Sequence, residues 1–216
     1  MSNISAKDVY KLRDLTGLGV MDCKKALEEA EGDFDKAIEI LRKKGQKVAS
    51  NRADRSANEG IVITKISDDK SFGIIMMLNC ETDFVSKNEE FVNLANDISN
   101  IALQNKIKSL EDLLKATING FTVEQSINNY MGKCGEKIQI SHYQYIEAPL
   151  VIGYNHHNGR VGALIGLSKS SEKAQELGHN LAMQIAAMNP QFVKAEDIPS
   201  NKLEFYKKEF EQDIDM

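Results

Sequence analysis

The stretch Asn79–Phe91, NCETDFVSKNEEF, constrains the fold more than its neighbours do. It follows an apolar run, Ile74-Ile75-Met76-Met77-Leu78, that has the make-up of a buried strand. Ser86 and Glu89 then have the S-x-x-E spacing in which each side chain satisfies a free amide of a first helical turn. Thr82-Asp83-Phe84-Val85 is thereby expected on a short loop between an anchored strand and an anchored helix. Phe84 has two readings there. It plugs the domain's own core, or it is held outward as a rigid aromatic anchor for a partner, with Asp83 beside it.

Before this stretch the pattern is helical. Ser5 and Asp8 are spaced to cap a first helix with Val9, Leu12 and Leu15 inward, and Thr16-Gly17 stops it. The loop Gly17-Leu18-Gly19-Val20 leads to a second helix with Cys23, Ala26, Leu27 and Ala30 on one face, ended by Gly32. Asp33 caps a third that buries Phe34, Ala37, Ile38 and Leu41, with Gly45 as its stop. Residues 1–45 are therefore expected to form a three-helix bundle. Residues 46–59, where Lys47, Arg52 and Arg55 follow Arg42, Lys43 and Lys44, read as a basic linker, irregular or helical, whose charges form a solvated face or an interaction patch.

From Gly60 the period changes to that of strands. Ile61-Val62-Ile63 and Phe72–Leu78 flank a turn-forming run, Ser67–Ser71, and predict a hairpin. The next helix places Phe91, Leu94, Ala95, Ile98 and Ala102 on one face; Ser109 with Asp112 and Thr122 with Gln125 start two more, and residues 137–146 alternate as a third strand. Residues 60–148 thus read as an α+β unit, an antiparallel sheet with helices packed on one face. The order then begins again. Leu150–Tyr154 and Gly162–Leu167 predict a second hairpin turning at Asn158-Gly159, followed by a helix with Leu181, Ala182, Ile185 and Met188 inward. Residues 149–199 are expected to be a second, partial copy, and residues 200–216 another helix holding Leu203, Tyr206 and Phe210.

Composition narrows the function. A net charge of −5 argues against nucleic acid as a direct partner. Cys23, Cys80 and Cys134 are scattered without a C-x-x-C, which suits reduced thiols and not a zinc site or disulfide frame. No run approaches the length of a membrane span and the N-terminus lacks a signal pattern, so a cytoplasmic protein is expected. There is no P-loop, no G-x-G-x-x-G after a strand and no nucleophile motif, and His142, His156, His157 and His179 lack ligand spacing. These patterns point to an interaction protein, not an enzyme, with no cofactor and no metal.

Three segments resemble one family. Residues 12–45, LRDLTGLGVMDCKKALEEAEGDFDKAIEILRKKG, resemble the N-terminal domain of the elongation factor Ts family; NCETDFVSKNEEF resembles its Thr-Asp-Phe-Val motif; and residues 181–199, LAMQIAAMNPQFVKAEDIP, resemble a third family stretch. The resemblance implies a ubiquitin-associated-like bundle followed by a core of two related α+β subdomains. It implies guanine nucleotide exchange on the GDP-bound form of elongation factor Tu. Thr82, Asp83, Phe84 and Val85 would dislodge Mg²⁺ from the GTPase, Asp83 and Phe84 foremost. Leu18, Val20, Met21 and Lys24 would dock the bundle, whereas the residues alone read Val20 and Met21 as core packing. A helical docking module that binds a translation GTPase without exchange is the competing expectation. The chain departs from the family pattern at Gln184, where many members have His, and residues 200–216 resemble only the start of the family's helical arm. The second sheet is accordingly expected to be incomplete, with an exposed edge.

Overall fold

The computed structural model describes residues 4–205 and residue 207. Helix α1 (Ala6–Thr16) starts on a reciprocal cap. Ser5 Oγ accepts the Asp8 N–H at 3.2 Å, and the Asp8 carboxylate accepts the Ser5 N–H at 3.3 Å. Gly17, at φ 68°, ends the helix. Helices α2 (Val20–Glu29) and α3 (Phe34–Asn51) follow, α3 capped by the Asp33 carboxylate. Val9, Leu12, Leu18, Cys23, Ala26, Leu27, Ala37 and Leu41 close a small core between them. Leu15, expected inward, is exposed. Each three-residue step along a helix rotates backward by about 60°, so the third residue of a Val9, Leu12, Leu15 series leaves the buried stripe.

The remaining elements are β1 (Glu59–Ile66), β2 (Phe72–Cys80), a single helical turn α4 (Asp83–Ser86), α5 (Glu89–Gln104), α6 (Leu110–Lys115), β3 (Thr117–Ile118), β4 (Phe121–Thr122), α7 (Val123–Cys134), β5 (Gln139–Glu147), β6 (Leu150–Asn155), β7 (Gly162–Leu167) and α8 (Glu172–Met188), with a 3₁₀ turn at Ala195–Asp197. Residues 200–205 are helical; the expected apolar positions Tyr206 and Phe210 lie outside the described residues.

β2 is the central strand of an antiparallel sheet ordered β1-β2-β5, with an irregularity between Met77 and Leu78 where β5 carries one extra residue. Its apolar run is explained by burial on both faces. Phe72, Ile74, Met76, Leu78 and Cys80 pack with Phe91, Ala95 and Ile98 of α5. On the other face, a Cβ added to Gly73 would stand 2.7 Å from Cγ1 of Val151, so the β6–β7 hairpin lies directly against it. The hairpin is tied there by polar bonds. Asn155 Oδ1 accepts the Thr64 N–H at 2.8 Å, and the Gly159 carbonyl accepts the Val62 N–H at 2.7 Å. Leu150, Ile152, Ala163 and Ile165 point the opposite way, onto Ala182 of α8. Each sheet therefore carries helices on one face, and the two sheets meet through the other. Leu181 and Met188 of α8, expected inward, are exposed. A hairpin two strands wide covers only one narrow stripe of a helix.

Two local expectations are corrected and one element is added. Helix α5 is capped by Asn88, whose Oδ1 accepts the Glu90 N–H at 2.9 Å, and not by Ser86, whose hydroxyl donates to the Asp83 carbonyl at 3.1 Å. The hairpin β3–β4 turns on Asn119 and Gly120, both at positive φ as a two-residue turn requires, and went unanticipated despite its Asn-Gly signal. Gly45 does not stop α3, which runs on to Asn51. A Cβ there would lie 2.7 Å from the Asn128 carbonyl oxygen, and the Gly45 Cα faces Gly132 on the same helix. Gly45 is the point at which α3 crosses α7; of the two readings of the linker the helical one is found over residues 46–51, as the end of the helix that fastens the bundle to the core.

Candidate functional site

The Thr82–Val85 stretch is a helical turn and not the expected loop. Thr82 is extended (φ −122°, ψ 156°), and its hydroxyl caps the turn by accepting the Val85 N–H at 3.5 Å. Consecutive residues on a helix point about 100° apart, which separates the side chains. Val85 packs on the main core beneath β1 and β2. Phe84 points away and is 83% exposed. Of the two readings of this ring, the outward one is the geometry found. Asp83 is held beside it by Lys87, with Nζ 2.7 Å from Oδ2, and that hydrogen bond keeps the Asp83 carboxyl below the usual carboxylate range.

The turn rests on a polar frame. The Glu136 carboxylate accepts the N–H groups of Glu81 and Thr82, at 3.2 and 3.0 Å, and the Thr82 hydroxyl at 2.7 Å. Glu81 is gripped from the other side. Its carboxylate accepts the Lys137 N–H at 2.7 Å, and Nη1 of Arg52 reaches both oxygens at 2.9 and 3.0 Å. These contacts, the Lys137 amide first, hold the Glu81 carboxyl in its charged form below its usual range. Lys137 Nζ donates to the carbonyls of Ala53 and Arg55, at 2.6 and 2.9 Å, so the chain leaving α3 is drawn into the same frame. Below it the Cys80 thiol donates to the Thr82 carbonyl at 3.1 Å, and burial pushes its pKa up to about 12, which leaves it a neutral donor.

These framing residues were not picked out from sequence. Arg52 was placed among linker charges, Lys137 at the start of the expected third strand, and Glu136 in the unremarked chain just before it. The available signal was Gly135, which ends α7 at φ 71° and turns the next two residues back toward the end of β2.

The second expected patch divides. Met21 is 62% exposed and Val20, the first residue of α2, is exposed at 37%. Lys24 is exposed one turn along, 3.8 Å from Glu28. Leu18 does not belong with them. It is 6% exposed, packed among the bundle's own residues, because the short Gly17–Gly19 corner folds it under α2. It supports the surface from beneath and offers a partner nothing directly. A cleft of about 590 Å³ separates this corner from the core, with Leu15, Glu90, Leu94, Phe121, Tyr130 and Lys133 among its walls. Gln184 is exposed on α8. Among the described residues no group of three or more His, Cys, Asp or Glu side chains is gathered to hold a metal, and no helix is long and apolar enough to cross a membrane.

What the geometry offers is therefore two exposed apolar projections, Phe84 and the Val20–Met21 pair, on one braced scaffold. A family model described as elongation factor TS matches residues 81–215. The chain is 48% identical over 204 residues to an elongation factor Ts of Christiangramia forsetii, a match covering 94% of this chain and 74% of the relative. Elongation factor Ts proteins of Flavobacterium psychrophilum and Chlorobium phaeobacteroides match at 43% and 44% identity, covering 94% and 98% of this chain and 73% and 76% of the relatives.

Proposed function

This chain belongs to the elongation factor Ts family, and we propose that it carries out that family's guanine nucleotide exchange by pressing the Phe84 ring into GDP-bound elongation factor Tu in the cytoplasm. In a translational GTPase, Mg²⁺ bridges nucleotide phosphate oxygens to the protein and neutralises their charge, so a conformation that loses this geometry holds nucleotide less tightly. A partner that binds that conformation preferentially must weaken nucleotide binding by the same factor by which nucleotide weakens its own. Phe84 is the wedge that selects this state. Asp83, Thr82 and Val85 set its direction, and no covalent step is asked of the chain.

Val20, Met21 and Lys24 form the second contact. Docking the bundle first turns insertion of the ring into an intramolecular event at raised effective concentration. The observation that carries this reading is the 83% exposure of Phe84 on a turn pinned at Thr82 by Glu136 and Cys80. An aromatic ring held in water on a rigid mount has surface to gain by burial elsewhere.

The test follows release of a fluorescent GDP analogue from elongation factor Tu by stopped flow. The unaltered chain accelerates release. Phe84→Ala leaves the fold intact and slows it, since burying a Phe is worth about 1.5–3 kcal/mol, or about ten- to hundredfold. Binding without acceleration by the unaltered chain would instead identify a docking module. Equal release with Phe84→Ala would dispose of the wedge.

A further inference from the structure

We infer that Glu136 is a positioning residue for nucleotide exchange, fixing through Thr82 the direction in which Phe84 is presented. The inference rests on the exchange reading above and adds to it the group that aims the wedge. A single helical turn does not hold itself, since nucleating one fixes several backbone dihedrals for one hydrogen bond. Helix α4 has four residues, and its cap is a 3.5 Å contact from the Val85 N–H to the Thr82 hydroxyl. Something outside the turn must hold that hydroxyl.

Glu136 does so with both oxygens. Oε1 accepts the Thr82 hydroxyl proton at 2.7 Å, which leaves the lone pairs of that oxygen for Val85. Oε2 accepts the backbone N–H groups of Glu81 and Thr82, which would otherwise emerge unpaired where β2 ends. Hydrogen bonds to an ionised acceptor are roughly twice as strong as neutral ones. One carboxylate thus sets the backbone two residues before Phe84 and the cap of the turn that carries it. Glu136 is half-buried and both of its oxygens are taken up by Glu81 and Thr82, so its route to exchange runs through the turn. Loss of this hold leaves the bundle patch unaltered. The complex still forms, but the ring must be ordered after docking, and that ordering subtracts from the free energy available to dislodge Mg²⁺.

The experiment measures GDP-analogue release against concentration of the unaltered chain, Phe84→Ala, Glu136→Ala and Glu136→Gln, all with elongation factor Tu. Glu136→Ala is expected to lower the maximal release rate about tenfold while moving the half-saturating concentration less than about twofold. Glu136→Gln keeps an acceptor for the two amides and a polar partner for the hydroxyl, and recovers most of the rate. Hydrogen exchange at the Val85 amide of the free chain speeds up in Glu136→Ala and not in Glu136→Gln. A general structural role would shift both kinetic parameters together. If Glu136→Ala does not fold, Thr82→Val replaces it, removing the held hydroxyl at constant shape, with an expected loss of about threefold in maximal rate. An unchanged maximal rate in the folded Glu136→Ala or in Thr82→Val overturns the inference, while a Phe84→Ala defect in the same series leaves the exchange reading standing. No acceleration by the unaltered chain overturns both.

Discussion

Gly45→Ala sets two opposed effects against each other at the α3–α7 crossing. Alanine in a helix interior is favoured over glycine by about 1 kcal/mol, and Gly45 lies well inside the 18-residue α3. Propensity alone predicts a more stable protein. The added Cβ, however, would stand 2.7 Å from the carbonyl oxygen of Asn128 and 3.2 Å from its carbonyl carbon. Those atoms are backbone in the middle of another helix, so relief requires α7 to move as a body and the core beneath it to repack. Overpacking of this kind costs about 1–3 kcal/mol, and a contact with no flexible atom to yield falls in the upper part of that range. The net expectation is a loss of about 1–2 kcal/mol, or about 2–8 °C in Tm for a chain of this size. Gly132→Ala is the matched control. A Cβ there meets its nearest neighbour across the crossing, the Gly45 Cα, at 3.4 Å, so propensity wins and the variant is neutral or gains up to about 1 kcal/mol. Thermal unfolding followed by circular dichroism separates them. If Gly45→Ala were as stable as Gly132→Ala, the close crossing would not be what the glycine is for.

Leu18→Ala is expected to cost about 2–5 kcal/mol of stability, as a core deletion, and to lower Tm. Met21→Ala, at an exposed position, should stay within about 0.5 kcal/mol of the parent yet raise the concentration of chain needed for half-maximal GDP release. Asp69 supplies an acid-sensitive contact. The Ser67 hydroxyl, the Ser71 amide and the Ser71 hydroxyl bond its carboxylate and lower its pKa from 3.8 to about 2. A depressed folded value means that this stabilisation is complete above the unfolded pKa and is lost as pH falls from about 4 to about 2. Asp69→Asn should therefore melt below the parent at neutral pH, with the gap closing across that window in melts taken at successive pH values.

Much of the fold was legible because local chemistry and burial agreed. Ser5 with Asp8, Asp33, and Thr122 with Gln125 cap helices as spaced, and the apolar runs of β2 and β6 lie on strands that are in fact buried. The misreadings arise where local signals competed or where the reason was distant in sequence. Ser86 and Asn88 both suit a cap, and the hydroxyl of Ser86 was taken up by the turn before it. Gly45 has the look of a helix stop, but its partner is 83 residues away on α7. At the site, the exposure of Phe84 followed from its place in a turn that the sequence had suggested as a loop. The Glu81 and Glu136 frame joins positions more than 50 residues apart, and no spacing rule reports that.

Helix α3 begins in the N-terminal bundle and ends at the Arg52–Glu81 pair beneath the Phe84 turn. Eighteen residues at about 1.5 Å each make an uninterrupted strut of roughly 27 Å. On the docking proposed above, the chain would act as a fixed-jaw caliper. A protein that has closed on nucleotide and one that has opened would present different spans to it, and only a span that matched the gap between its two jaws would be gripped at both ends. Selectivity for one state of a GTPase would then reside in a length, set by the pitch of one helix, as much as in any side chain at either tip.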